Sequence, residues 1–218
     1  MALHCSLCGK ALELIPSKTS EDIQLASPCI HCFPEAPKSL VEKPKHNLIY
    51  HVTPLGNYEW NIDQLFKRIH IFDGKLVFAI AQDKDFEKAS VVQSLIESKF
   101  VLPPGRNVSF LYIANHLELR ETHSLASLLL EASQFDRSGY TFYGHTKGVT
   151  RGGAEVMPAV QLWTEAMYHF NLDRMDQIRM LLKSHPVVGC FKRRGRFSHF
   201  PKISTWHYSG TFYWFRNS

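Results

Sequence analysis

The chain has 218 residues, 44% hydrophobic and 21% charged, a globular composition that excludes a fibrous or wholly disordered protein. A net charge of +5 suits an anionic partner but is too modest to single out nucleic acid. No apolar run reaches the roughly 18 residues that span a bilayer, and residues 1–10 lack the charged-then-apolar order of a secretory signal. The expectation is a cytoplasmic protein with no transmembrane segment.

Cysteine chemistry opens the chain. Cys5-Ser6-Leu7-Cys8 and Cys29-Ile30-His31-Cys32 are two CxxC pairs separated by twenty residues. Each places two thiolates on one turn, and two such turns facing each other supply the closed tetrahedral sulfur set of a structural zinc. Gly9 suits the left-handed backbone such a turn needs. A redox dithiol is the weaker reading, because no thioredoxin-like strand precedes either pair, and His4 and His31 read as bystanders. Residues 1–33 are thus expected to form a zinc-binding module. Residues 34–46, with Pro34, Pro37 and Pro44 among charges, read as a semi-rigid linker to a larger domain over 47–218.

In that domain, nearly continuous apolar runs predict strands at 48–52, 76–81, 108–114 and 140–145, each covered on both faces. Between and after them come four helical faces: Ile62, Leu65, Phe66 and Ile69; Ala89, Val92, Leu95 and Ile96; Leu125, Leu128, Leu129 and Ala132; Val160, Trp163, Met167 and Phe170. This alternation predicts an α/β fold, a mainly parallel sheet with helices on both faces. A further helix is expected over 173–183, then strands at 187–192 and 211–215 with a basic loop, 193–205, between them.

Two segments carry a resemblance. Residues 140–149, Tyr-Thr-Phe-Tyr-Gly-His-Thr-Lys-Gly-Val, and 207–216, His-Tyr-Ser-Gly-Thr-Phe-Tyr-Trp-Phe-Arg, resemble paired motifs of bacterial glycosyltransferase-like proteins related to rhamnan-synthesis enzymes. In those proteins a strand ends in His-Thr-Lys and a later one reads roughly Gly-Ser/Asn-x-Phe-Trp. The resemblance covers about 47–216. It implies a glycosyltransferase A-like domain that binds a nucleotide-sugar donor over the carboxyl ends of the strands and transfers the sugar to a glycan or other hydroxyl acceptor. The rule for open α/β sheets points to the same edge. The donor contacts it implies are His145, Thr146, Lys147 and Gly148, with Thr53 and Asn57 after the first strand and Ser209, Gly210 and Trp214 in the second motif.

Better-known enzymes of that fold place Asp-x-Asp after the fourth strand to hold a divalent metal. Here His145-Thr146-Lys147 stands there, so no catalytic divalent metal is expected; Lys147 would neutralise phosphate charge and His145 would donate a hydrogen bond. Asp83-Lys84-Asp85 spells the triplet after the second strand, where it reads as a chance match. Thr122 is expected to cap the helix after the third strand. Cys190 reads as a buried structural thiol and 192–196 as a solvated basic run. Trp206, Tyr208, Tyr213 and Trp214 divide between core and a face for sugar stacking. No carboxylate stands out as a general base, and no Asp or Glu follows Asp176, which leaves truncation or loss of catalysis open. The alternatives are a noncatalytic glycan- or nucleotide-binding module of the same fold, and a zinc-containing nucleic-acid-binding protein, which the resemblance outweighs.

Overall fold

The computed structural model describes residues 43–100, 107–150, 156–194, 206–208 and 210–218. Cys5, Cys8, Cys29, Cys32 and Ser209 lie outside the described residues, as does most of 193–205. The chain divides into Met1–Lys43, of which only Lys43 is described, and Pro44–Ser218, which holds the sheet.

That second unit is a mixed α/β structure. Its strands are β1 (His46–Val52), β2 (Leu76–Gln82), β3 (Val108–Ala114), β4 (Tyr140–His145), β5 (Val187–Gly189), β6 (Lys192–Arg194), β7 (Trp206–Tyr208) and β8 (Tyr213–Arg216). Its helices are α1 (Tyr58–Phe66), α2 (Ala89–Lys99), α3 (Glu121–Ala132), α4 (Met157–Tyr168) and α5 (Met175–Leu182). Six strands form one sheet in the order β3-β2-β1-β4-β8-β5, while β6 and β7 pair separately. The first four run parallel, and β8 runs antiparallel to both of its neighbours.

Helices cover both faces. Leu48, Tyr50, Phe78, Ile80 and Phe142 pack with Ile62 and Leu65 of α1, Val92 and Ile96 of α2, and Met167 and Tyr168 of α4. Ile49, Val77, Ala79 and Tyr143 point the other way, onto Leu128 and Ala132 of α3. Alternation along each strand therefore sorts side chains between two cores, each large one contributing roughly 1.5–3 kcal/mol by leaving water.

Four expectations change. First, β1 is buried throughout and β2 as far as Ala81, but β3 is the sheet edge, with Ser109, Tyr112 and Ala114 exposed. Second, the run over 187–192 is split, because Phe191 at φ 52° turns the chain out of β5 and into β6, in a different sheet. Third, α4 runs into a π-helical turn, His169–Asp173, which shifts the register so that Asn171 and Leu172 face inward and Phe170 is 49% exposed. Fourth, α3 begins at Glu121, so Thr122 lies inside it and donates its hydroxyl to the Leu119 carbonyl; Arg120 occupies the cap position without a side-chain cap bond.

Candidate functional site

Strand order reverses between β1 and β4, where an open α/β sheet leaves a crevice beyond its carboxyl ends. A cleft of about 380 Å³ lies there. Thr53, His145, Thr146, Lys147 and Gly148 line it from the ends of β1 and β4, and Asp83, Asp85, Asn115, Arg120 and Glu121 line it from the ends of β2 and β3.

The β1 and β4 ends are tied together by hydrogen bonds. The Thr146 hydroxyl accepts from the Thr53 N–H at 2.8 Å, and the Thr146 N–H donates to the His51 carbonyl at 3.0 Å. Asn61, fully buried on α1, grips the main chain of Lys147: its Oδ1 accepts from the Lys147 N–H at 3.0 Å and its Nδ2 donates to the Lys147 carbonyl at 3.2 Å. Gly148 (φ 76°) lets the chain turn against α4, since a Cβ there would meet Val160 Cγ1 at 2.1 Å. The Lys147 ammonium lies 4.9 Å from the Trp163 ring centroid, a cation–π seat on α4.

Two buried histidines lie side by side under this edge, His51 of β1 paired in register with His145 of β4. Ser124 gives its hydroxyl proton to the Glu121 carbonyl, so His51 donates from Nδ1 to the Ser124 oxygen at 2.7 Å and accepts at Nε2 from the Thr53 hydroxyl at 2.9 Å. His145 donates from Nε2 to the Gly210 carbonyl at 3.0 Å, with the Thr211 hydroxyl at 3.1 Å. Burial lowers both pKa values, His51 to about 3, with His145 next to it adding to the effect. His145 falls to about 4 although Glu121 opposes the shift. Both rings are therefore neutral at pH 7.

Glu121 Oε1 is 3.9 Å from His145 Nε2. Burial pushes its carboxyl pKa up, but His145, the backbone N–H at the head of α3, Lys147 and His51 outweigh burial and hold it below the ordinary value. Asp83 is exposed and accepts from Asn115 Nδ2 at 2.8 Å and from the Lys84 N–H at 2.7 Å. Among the described residues no three His, Cys, Asp or Glu side chains are grouped to hold a metal ion, so Asp83 and Asp85 stand as a pair without a third ligand.

The structure thus gathers Thr53, His145, Thr146, Lys147 and Gly148 at one cleft and keeps other expected contacts away from it. Asn57 lies ahead of α1, its Nδ2 against Met157 Sδ. Gly210 (φ 96°) packs on Met167 and serves His145 through its carbonyl. Trp214 is fully buried in the core, stacked 5.7 Å from Phe72 and donating to the Asn171 carbonyl, so it offers no face to a ligand. Cys190 accepts from Asn171 Nδ2, and burial pushes its thiol up to about 11, which leaves it a protonated packing group.

Sequence reasoning missed Asn61, His51, Ser124 and Glu121. A signal existed for two of them: His51 interrupts an apolar strand, and Ser124 falls four residues before Leu128 on the inward face of α3. Asn61 and Glu121 look like ordinary surface residues of amphipathic helices until the topology places them.

No protein-family model matches the chain, and no curated protein sequence is similar to it. Among solved structures, a crystal structure of 4-diphosphocytidyl-2C-methyl-D-erythritol synthase superposes with a TM-score of 0.38 and 11% sequence identity, covering 80% of this chain and 76% of that one. That likeness is too loose to bear on chemistry. Among the described residues no helix is long and apolar enough to cross a membrane.

Proposed function

We propose that this domain binds a nucleoside-diphosphate sugar in the cleft and transfers the sugar to a hydroxyl acceptor, without a catalytic divalent metal. The observation that supports this most is the seat of Lys147. A cation stands at the reversal of strand order, its main chain is fixed by Asn61, and Gly148 beside it lets the chain turn tightly against α4. Arg120 lines the same cleft and adds a second positive charge for the diphosphate. His145 acts through the structure and not on the donor, because its Nε2 proton goes to Gly210.

A donor that binds only the native state must raise its apparent melting temperature. Thermal-shift measurements with uridine, guanosine, cytidine and deoxythymidine diphosphate sugars should find at least one that stabilises the protein, by the same amount with and without chelator once the effect of chelator alone is subtracted. No shift with any of them contradicts donor binding. A shift that requires manganese or magnesium and disappears in Asp83→Asn contradicts the metal-free reading.

We also propose that Cys5, Cys8, Cys29 and Cys32 hold a structural zinc, on the strength of their spacing. Metal analysis of the reduced protein should return about one zinc per chain, lost in Cys5→Ser or Cys29→Ser; a zinc-free preparation contradicts it.

A further inference from the structure

Transfer by direct displacement needs a group to take the proton of the attacking hydroxyl, and nothing in the sequence pattern marks one. The cleft supplies three carboxylates. Asp83 and Asp85 are exposed, and Asp83 is already held by Asn115. Glu121 differs from both: its side chain is 24% exposed, so it is sunk into the wall yet still within reach of the cleft.

Three features fix the start of its helix. It is the first residue of α3, where its own backbone N–H and the helix dipole favour a negative charge. Its main-chain carbonyl accepts from Ser124, whose hydroxyl is bonded to His51 of β1, so the helix start is pinned to the central strand. The preceding residue, Arg120, has φ 49° and ψ −131°, a backbone conformation that non-glycine residues adopt at a cost of about 1–3 kcal/mol. Bonds from the Arg120 N–H to the His116 carbonyl (2.7 Å) and from the His123 N–H to the Arg120 carbonyl (3.1 Å) hold that kink, which sets Glu121 and Arg120 on the same cleft.

We propose that Glu121 is the proton acceptor of the site. This rests on the transfer reading above. In the step, the acceptor oxygen forms a bond to the anomeric carbon of the sugar while its proton passes to the Glu121 carboxylate. The bond from the anomeric carbon to the phosphate oxygen breaks, and its electron pair leaves on the nucleoside diphosphate, whose added charge faces Lys147 and Arg120. Water in place of the acceptor gives slow hydrolysis of the donor by the same route. The neighbours act on the resting state of the group. Against burial, His145, then the backbone N–H at the head of α3 and Lys147, hold its carboxyl below the ordinary value, so the carboxylate is ionised and ready at neutral pH.

An acceptor with no proton to lose separates this role from a structural one. The full-length protein and Glu121→Gln are compared with the same four classes of nucleoside-diphosphate sugar, using water and then azide as acceptor, and measuring release of nucleoside diphosphate and formation of glycosyl azide. Glu121→Gln should bind the donor within about threefold of wild type. It should lose hydrolysis by about 100-fold or more, the usual scale for removing a general base, and still form glycosyl azide within about threefold. Parallel loss with water and azide, or loss of neither, overturns the assignment of Glu121 alone. A wild-type protein that binds and cleaves none of the donors overturns the transfer reading and this assignment with it.

Discussion

The two sides of the cleft are built differently. Toward β1 and β4, Thr53, Thr146, Asn61 and the main chain of Lys147 form a cross-linked, mostly buried floor in which each named polar group has a partner within the protein. Toward β2 and β3, Asp83, Asp85, Leu117 and Arg120 are exposed, and Leu117, at 82%, is among the most exposed apolar residues described. The contrast separates positioning from contact. A floor of satisfied hydrogen bonds fixes where the lysine stands, and a solvated rim leaves charges and apolar side chains open to whatever enters.

At neutral pH the largest effect should come from breaking the floor. Asn61→Ala removes both bonds that Asn61 makes to the main chain of Lys147 and should destabilise the domain by about 1–3 kcal/mol, since each such bond contributes roughly 0.5–1.5. Gly148→Ala should cost a similar amount, because its Cβ would drive into Val160 and hold a left-handed backbone. Urea denaturation measures both; a loss below about 0.5 kcal/mol in either would show that the floor is not held as described.

Acid should loosen the same floor through the two buried rings. His51 and His145 take up protons near pH 6.5 when unfolded but only near 3 and 4 when folded. A group whose folded pKa is lowered contributes stability that is complete above the unfolded value and is lost as pH falls toward the folded one. Stability should therefore be flat from pH 8 to about 7, then fall toward pH 4 by up to about 1.4 kcal/mol per pH unit for each histidine. Glu121, also lowered, adds to the loss at the acid end. Denaturation midpoints that do not change between pH 7 and pH 5 would contradict burial of neutral rings.

The floor and the rim were unequally legible in the sequence. Parallel strands show as apolar runs, so the strands around 48–52, 76–81 and 140–145 and the helices between them could be read directly, and with them the edge that carries Thr53 and Lys147. What could not be read depends on partners far away in the chain. Ser124 replaces an expected apolar residue on the inward face of α3 because it must meet His51, while Leu129, expected inside, is 42% exposed. The antiparallel end was harder still: a single left-handed residue, Phe191, splits one apolar run between two sheets, and no periodicity announces such a turn. Glu121 did not stand out in the sequence, since its place in the cleft comes from the kink at Arg120 and from the histidine brought beside it by β4.

The reading of the cleft as a diphosphate site is tested most directly by isothermal titration of wild type and Lys147→Ala with matched nucleoside diphosphates and nucleoside-diphosphate sugars. Asn61 holds Lys147 through its main chain, so removing the side chain leaves the floor bonds intact and gives up the contact with Trp163, about 0.5–1 kcal/mol. Affinity for diphosphate ligands should weaken by roughly 1–3 kcal/mol, the range for a hydrogen bond to a charged group. Equal affinities for the two proteins would remove Lys147 from the site and contradict the account.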